Sequence, residues 1–188
     1  MKHIEIISAS RDDASALCDI FLSHITAHPE YISHGEVQMG VGVTQYSGGF
    51  ISKPSPDARQ KWMNYIYANF DDSASNIVLK AVPKSGADDS TPGSASEQEI
   101  AGFCVAQITD DGDEPFGMLC DVLVKEEYRG RGVGTALVNR AIEWLRSKGI
   151  KDIYLESGLN NHAAHDILSA TASIRFHTFS NLPEQSYQ

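Results

Sequence analysis

The sequence has no apolar run of the roughly 18 residues that a membrane-crossing helix requires. Its opening stretch, MKHIEIISAS, carries neither a long apolar segment nor a small-residue cleavage site. Neither export nor membrane spanning is expected from this. Cysteine is scarce: Cys18, Cys104 and Cys120 are odd in number and lack metal-ligand spacing. Two of them, Cys104 and Cys120, lie in apolar strand-like runs where buried thiols are common, and this usage points to a reducing, cytoplasmic setting. Positive charge is also short. Fifteen Lys and Arg stand against 25 Asp and Glu, a net charge of −10, so the average surface repels a nucleic-acid backbone and no nucleic-acid partner is expected. What the chain does have is apolar content, 41% over 188 residues, enough to bury a sizeable core as one domain, residues 1–188.

Periodicity orders the elements. HIEIIS alternates as a short strand, and Ser10 with Asp13 resembles a capping box opening a helix. That helix has Ala14, Leu17, Cys18, Phe21, Leu22 and Ile25 on its apolar face. From His28 to Lys53 no period is sustained, and a long loop with short turns is expected there. Ser55 followed by Pro56 reads as the N-cap and first turn of a second helix, with Trp62, Ile66, Tyr67 and Phe70 as its buried stripe. NIVLKAV, EIAGFCVAQIT and FGMLCDVLV read as strands, the last two forming an antiparallel pair across DDGDEP. Residues 83–98, PKSGADDSTPGSASEQ, are too polar to order themselves and are expected to be a flexible insertion. Ala136, Leu137, Ala141, Trp144 and Leu145 mark a further helix that Gly149 terminates. IKDIYLES, NNHAAHDILS and IRFHTF follow as strand, short helix and strand. The fold class is mixed α/β (α+β), a sheet with helices packed on it.

The stretch EEYRGRGVGTAL concentrates glycine and arginine between a strand and a helix. Such a turn presents unpaired N–H groups with the positive end of the helix dipole behind them. Gly130, Gly132 and Gly134 let the main chain approach an anion closely, and Arg129 and Arg131 add charge, so a phosphate or diphosphate is the natural guest. The plain alternative is a tight turn whose glycines only allow helix and strand to pack. A P-loop would need Lys and then Ser or Thr after the last glycine, whereas Gly134 is followed by Thr135 and Ala136. A dinucleotide fingerprint would space its glycines differently and place an acidic residue at the end of the next strand, whereas Asp152 stands at that strand's beginning.

The segment DVLVKEEYRGRGVGTALVN, residues 121–139, resembles the acetyl-CoA-binding motif of the GNAT superfamily of N-acetyltransferases. Arg129, Gly132 and Gly134 satisfy its pattern of Gln or Arg, two free positions, Gly, one free position, then Gly or Ala. IYLESGLNNHAAHDIL resembles the next strand and helix of that family, with Asn161 and Ala164 as its Asn-x-x-Ala signature. The resemblance implies a mixed, mostly antiparallel sheet flanked by helices, with acetyl-CoA as co-substrate. It implies that main-chain groups of Val122, Leu123 and Val124 hold the pantetheine arm where two central strands splay. The amides of Gly130, Arg131, Gly132, Val133, Gly134 and Thr135, flanked by Arg129, would cradle the pyrophosphate, and Asn161 would touch the cofactor near its pantetheine end. The side chain of Arg131 could reach a phosphate or stand in water.

An alkyl amine has a pKa near 10.4, so about one molecule in a thousand is a free nucleophile at neutral pH and a base is needed. Asp121, at the cofactor strand and two residues from Leu119, is expected on the same sheet face as Leu119 and is the first candidate. Glu156, near the end of the adjoining strand, is the second. Each has a plain alternative: a strand-end carboxylate that orients a loop for Asp121, a hydrogen bond to the following turn for Glu156. The oxyanion falls to a main-chain N–H of the Val122 to Val124 strand. Many family members carry a thiolate-protonating tyrosine seven residues after the signature Asn, but here that position is Leu168, and the usual Gly-Phe pair is missing from SATASIRF. Either water protonates the thiolate or a neighbour such as His165 does.

His24, His28 and His34 with Tyr31 leave the first helix as a histidine-rich run. Only His24 and His28 have i, i+4 spacing, too few ligands for a metal site, so lining the acceptor pocket or surface display is expected instead. Trp62, Tyr65 and Tyr67 read as packing residues. The chain thus reads as an acetyl-CoA-dependent N-acetyltransferase acting on a small-molecule or peptide amine, with a silent acyl-CoA-binding or sensing module as the alternative. The oligomeric state, a homodimer included, is left open.

Overall fold

The computed structural model describes residues 3–32, 34–46, 50–84, 99–110, 112, 114–158 and 175–179. Among them, β1 (Ile4–Ser8) leads into α1 (Ala14–Ala27), then α2 (His34–Gln38), β2 (Gly42–Tyr46), β3 (Phe50–Pro54) and α3 (Ala58–Asp71). They are followed by β4 (Asn76–Pro83), β5 (Gly102–Thr109), β6 (Phe116–Val124), α4 (Val133–Ser147), β7 (Ile153–Gly158) and β8 (Arg175–Phe179). Six strands form one sheet in the order β1-β4-β5-β6-β7-β8, and β2 pairs with β3 as a separate antiparallel hairpin. The pairs from β1 to β6 are antiparallel, and β6–β7 and β7–β8 are parallel. The expected mixed, mostly antiparallel sheet is present.

Each face of the sheet has its own core, because alternate residues of β4, β5 and β6 point to opposite sides. One side packs α1 and α3 around Leu17, Phe21, Trp62, Ile66, Phe103 and Val105. Trp62 is its centre, stacked on Phe21 with centroids 5.1 Å apart and edge-on to Phe103 at 5.7 Å, contacts worth about 0.5–1.5 kcal/mol each beyond burial. The other side receives α4, whose Val133, Leu137, Val138, Ala141 and Leu145 meet Cys104, Ala106 and Leu119.

Several local expectations hold. Asp13 accepts from both the N–H and the hydroxyl of Ser10, at 2.8 and 3.1 Å, and so opens the first helical segment. The same Asp13 pairs with the buried Lys80 ammonium at 2.7 Å, tying α1 to β4. Gly149, at φ +84°, follows the end of α4 as foreseen. Two expectations are corrected. The span from His28 to Lys53 is no single long loop, since it holds α2 and the β2–β3 hairpin. Their partners are tertiary: Ser55 Oγ donates to the Gly40 carbonyl at 2.7 Å and Ile32 packs into the α1/α3 core. For the same reason Ser55 is not the cap of α3, which begins at Ala58 after Asp57. Most of the polar stretch 83–98 and the short helix expected over NNHAAHDILS lie outside the described residues.

Candidate active site

The site grows from the middle strand. β6 pairs with β5 along its whole length, but its described pairing with β7 covers only Gly117–Leu119 against Ile153–Leu155. β7 goes on to pair with β8 through Glu156–Gly158, so beyond Leu119 the two central strands part and the β7-facing edge of Val122, Leu123 and Val124 is released. Such a parting of two central strands is what the resemblance to GNAT proteins implies. The sheet register slips between Val105 and Ala106, which pair with Asp121 and Leu119, leaving Cys120 as a bulged residue.

The bulge corrects the face assigned to Asp121. Leu119 belongs to the α4-side core, whereas Cys120 and Leu123 pack on the α1/α3 side. An extra residue in the strand reverses the alternation, and the Asp121 carboxylate turns toward α3 and accepts a 2.8 Å hydrogen bond from the Tyr65 hydroxyl at Oδ2. Burial pushes the Asp121 carboxyl up to about 7; the Tyr65 bond opposes this and the nearby Glu36 carboxylate adds to it. Tyr65 in turn is held well above its ordinary value by burial and by the Asp121 charge, so it stays a donor. Glu156 stands on β7 in register with His177. Asn161 and His165 lie outside the described residues.

After β6 the chain makes a 3₁₀ turn over Glu126–Tyr128 and reaches α4 through two left-handed glycines, Gly130 at φ +69° and Gly132 at φ +76°. A Cβ at either would meet nothing within 4 Å, so the turn faces open space and glycine is required by backbone conformation. Arg129 N–H donates to Glu126 and Ala136 N–H to Gly132. Among the described residues, the six N–H groups between them, Gly130 through Thr135, have no hydrogen-bond acceptor. Arg131 is exposed, with its guanidinium 5.8 Å from the Tyr128 ring centre.

Arg129 does something the sequence did not suggest. Its Nε donates to the Val124 carbonyl at 3.0 Å and its NH2 to His24 Nδ1 at 3.3 Å, joining the end of β6 to α1. Because guanidinium only donates, Nδ1 must be the acceptor and the His24 proton sits on Nε2. Burial first, then Arg129 and His28, push His24 down to about 4. His24 stacks on Tyr31 at 5.5 Å and tilts against His28 at 5.1 Å. His24, His28 and Arg129 border a cavity of about 550 Å³ between α1 and the β6 end, lined also by Ile20, Ile100 and Leu123. Among the described residues no group of three or more His, Cys, Asp or Glu could hold a metal ion, and no helix is long and apolar enough to cross a membrane.

Residues 56–169 match the model of the Acetyltransferase (GNAT) family, which is more than half of the chain and includes β6, the glycine turn and α4. The chain belongs to the GNAT acetyltransferase family. Among curated relatives, an uncharacterized N-acetyltransferase of Methanocaldococcus jannaschii is 41% identical over 44 residues, 23% of this chain and 20% of that protein. Streptothricin acetyltransferase A of Bacillus subtilis is 37% identical over 51 residues, 27% of this chain and 30% of that protein. The matched stretches thus span less than a third of either relative's length. Solved structures extend the fold over nearly all of the chain. An aminoglycoside N-acetyltransferase in complex with CoA superposes with TM-score 0.62 at 12% identity, covering 98% of this chain and 97% of that one. A putative acetyl transferase from Pyrococcus furiosus gives 0.58 at 16% identity, covering 96% and 99%.

Besides the bonds of Arg129, the sequence missed the bulge and the role of the Tyr65 hydroxyl. Cys120 is apolar and gave no sign of a register slip. Tyr65 shares a stripe with Trp62, Ile66 and Asn69, and the signal was Asn69: a buried amide on an apolar face needs partners. It finds them in the Tyr65 carbonyl at 3.0 Å and the Gln107 side chain at 2.8 Å.

Proposed function

We propose that this GNAT protein transfers an acetyl group from acetyl-CoA to a primary amine by direct attack. The observation that carries the reading is the row of six N–H groups from Gly130 to Thr135 at the N-terminus of α4, unpartnered among the described residues and suited to a diphosphate. In this reading those amides, with Arg129 and Arg131 beside them, hold the pyrophosphate, and the freed edge of Val122, Leu123 and Val124 takes the pantetheine amides. Asn161 contacts the same arm. Bound acetyl-CoA supplies the activated thioester carbonyl; the amine nitrogen forms the new C–N bond as the C–S bond breaks.

Asp121 is the proposed base. A carboxylate that titrates near 7 is matched to removing a proton at neutral pH, where a normal aspartate would be too weak a base. Glu156 and His165 remain as the second carboxylate and the acid for the departing thiolate. Glu36 near Asp121 and the net charge of −10 favour a cationic acceptor, a small-molecule or peptide amine. That two structural neighbours are aminoglycoside acetyltransferases, one bound to sisomicin and one to CoA, supports the small-molecule class. We read the described elements as one domain, and the three free cysteines as fitting the cytoplasm.

Incubation with acetyl-CoA and a panel of amines, followed by free-thiol release, tests the proposal. Amine-dependent thiol release is the expected result. Leu168 at the position of the family tyrosine favours a second reading, a silent acyl-CoA-binding module. That reading predicts stabilisation by CoA, about 2.7 kcal/mol at 100 times its dissociation constant, with no turnover of any amine.

A further inference from the structure

Of the groups that the function above leaves unused, the most elaborately held is Tyr65. It lies on α3 and contributes nothing to the turn or the β6 edge, yet it is tied at both its ends. Its hydroxyl donates to Asp121 Oδ2 at 2.8 Å. Its carbonyl accepts from Asn69 Nδ2 at 3.0 Å, and Asn69 Oδ1 accepts from Gln107 Nε2 at 2.8 Å. Asn69 is 2% exposed, and burying an amide this deeply is costly unless each of its groups is used. The chain Gln107, Asn69, Tyr65, Asp121 therefore runs from β5 through α3 and back to β6 at its bulge. Among the described residues Asp121 Oδ1 has no hydrogen-bond partner, so the two carboxylate oxygens are unequal: one committed, one open.

We infer that Tyr65 is a positioning residue, which occupies Asp121 Oδ2 and so presents Oδ1 as the single atom that accepts the proton of the attacking amine. The inference rests on the reading of Asp121 as the base. It also explains why the bulge exists where it does: without the extra residue at Cys120, Asp121 would point into the α4-side core with Leu119, away from α3. The titratable groups around the carboxylate are Tyr65 from α3, Cys120 beside it on β6 and Glu36 from α2, with Cys104 of β5 behind it on the α4 side of the sheet. Among the described residues none of these is cationic, and the Tyr65 hydroxyl favours the ionised form against burial. Burial holds the Cys104 thiol well above its ordinary range, and Tyr65 likewise stays protonated, so neither changes charge while Asp121 titrates.

The test uses the full chain, wild type and Tyr65→Phe, with carbon-13 labelled aspartate carboxyls assigned by loss of the signal in Asp121→Asn. In the wild type the Asp121 carboxyl is expected to titrate near 7, and in Tyr65→Phe roughly 1 pH unit higher, since a hydrogen bond to the charged form is lost. The acid limb of the acetyl-transfer profile, measured as thiol release from acetyl-CoA with an amine found in the panel, should move by the same amount. Tyr65→Phe removes one oxygen, and a thermal melt checks that its fold is kept. An unmoved Asp121 titration in the folded variant overturns the role of Tyr65, as does a moved titration with an unmoved rate profile. If Asp121→Asn itself keeps full turnover, it is the base assignment that fails, and the titration still reports whether Tyr65 holds the carboxylate.

Discussion

The turn from Arg129 to Thr135 and the carboxylate of Asp121 lie on one continuous strand-turn-helix segment, and they are built by opposite means. The turn presents main-chain N–H groups, is open on its outer side, and depends on two left-handed glycines. The carboxylate is a side chain pressed among core residues, aimed by a strand bulge and held by a hydroxyl from another helix. One element is specified locally and gains its charge from the backbone; the other has its protonation set by everything folded around it. In the proposed reading, in which the turn binds the nucleotide and Asp121 takes the proton, the two tasks are separable and each can be damaged alone.

The sharpest separation comes from Asp121→Asn. If the base assignment is right, thiol release should fall by about 10²- to 10⁴-fold, while CoA binding, measured by calorimetry, is kept. The same variant should also be more stable than the wild type at pH 8. The folded-state pKa of Asp121, about 7, lies above its ordinary 3.8, so the native state binds this proton more tightly than the unfolded chain does. Its contribution to stability is complete below 3.8 and is lost as the pH rises through 7. Denaturant melts should give the Asn variant an advantage on the order of 2 kcal/mol at pH 8 and little at pH 4. The turn is broken in the converse way by Gly132→Ala. A left-handed backbone costs a residue with a Cβ about 1–2 kcal/mol, and nothing nearby offers contacts in return. CoA affinity should weaken roughly tenfold, whereas turnover at saturating acetyl-CoA changes little. The smallest effect is expected from Arg129→Ala. Proton NMR should show His24 titrating above 4 yet short of its ordinary 6.5, because burial, the larger cause of its depression, remains.

Legibility in the sequence follows the same division. The turn, α4 and the terminating Gly149 could be read because glycine spacing and an apolar helical stripe are local signals. The released edge of Val122 to Val124 followed from the resemblance to GNAT proteins. The face of Asp121 was misjudged because one bulged residue inverts strand alternation, and an apolar Cys120 leaves no mark of it. Residues 28–53 looked featureless because α2 and the hairpin are stabilised from outside, by Ser55 reaching Gly40 and Ile32 entering the core. Tyr65 passed for packing because its ring does pack, 6.1 Å from Trp62; only its hydroxyl belongs to the site. Arg129 was read as a phosphate ligand, and its bonds to Val124 and His24 add a structural task that no spacing rule contains.

In the proposed function the amides from Gly130 to Thr135 receive the diphosphate of the nucleotide. Nitrogen-15 amide spectra recorded during titration with acetyl-CoA, and separately with pantetheine, which lacks the diphosphate, address it most directly. These six amides are expected to show large shifts with acetyl-CoA and almost none with pantetheine. Saturable binding of acetyl-CoA that leaves all six unmoved would contradict it.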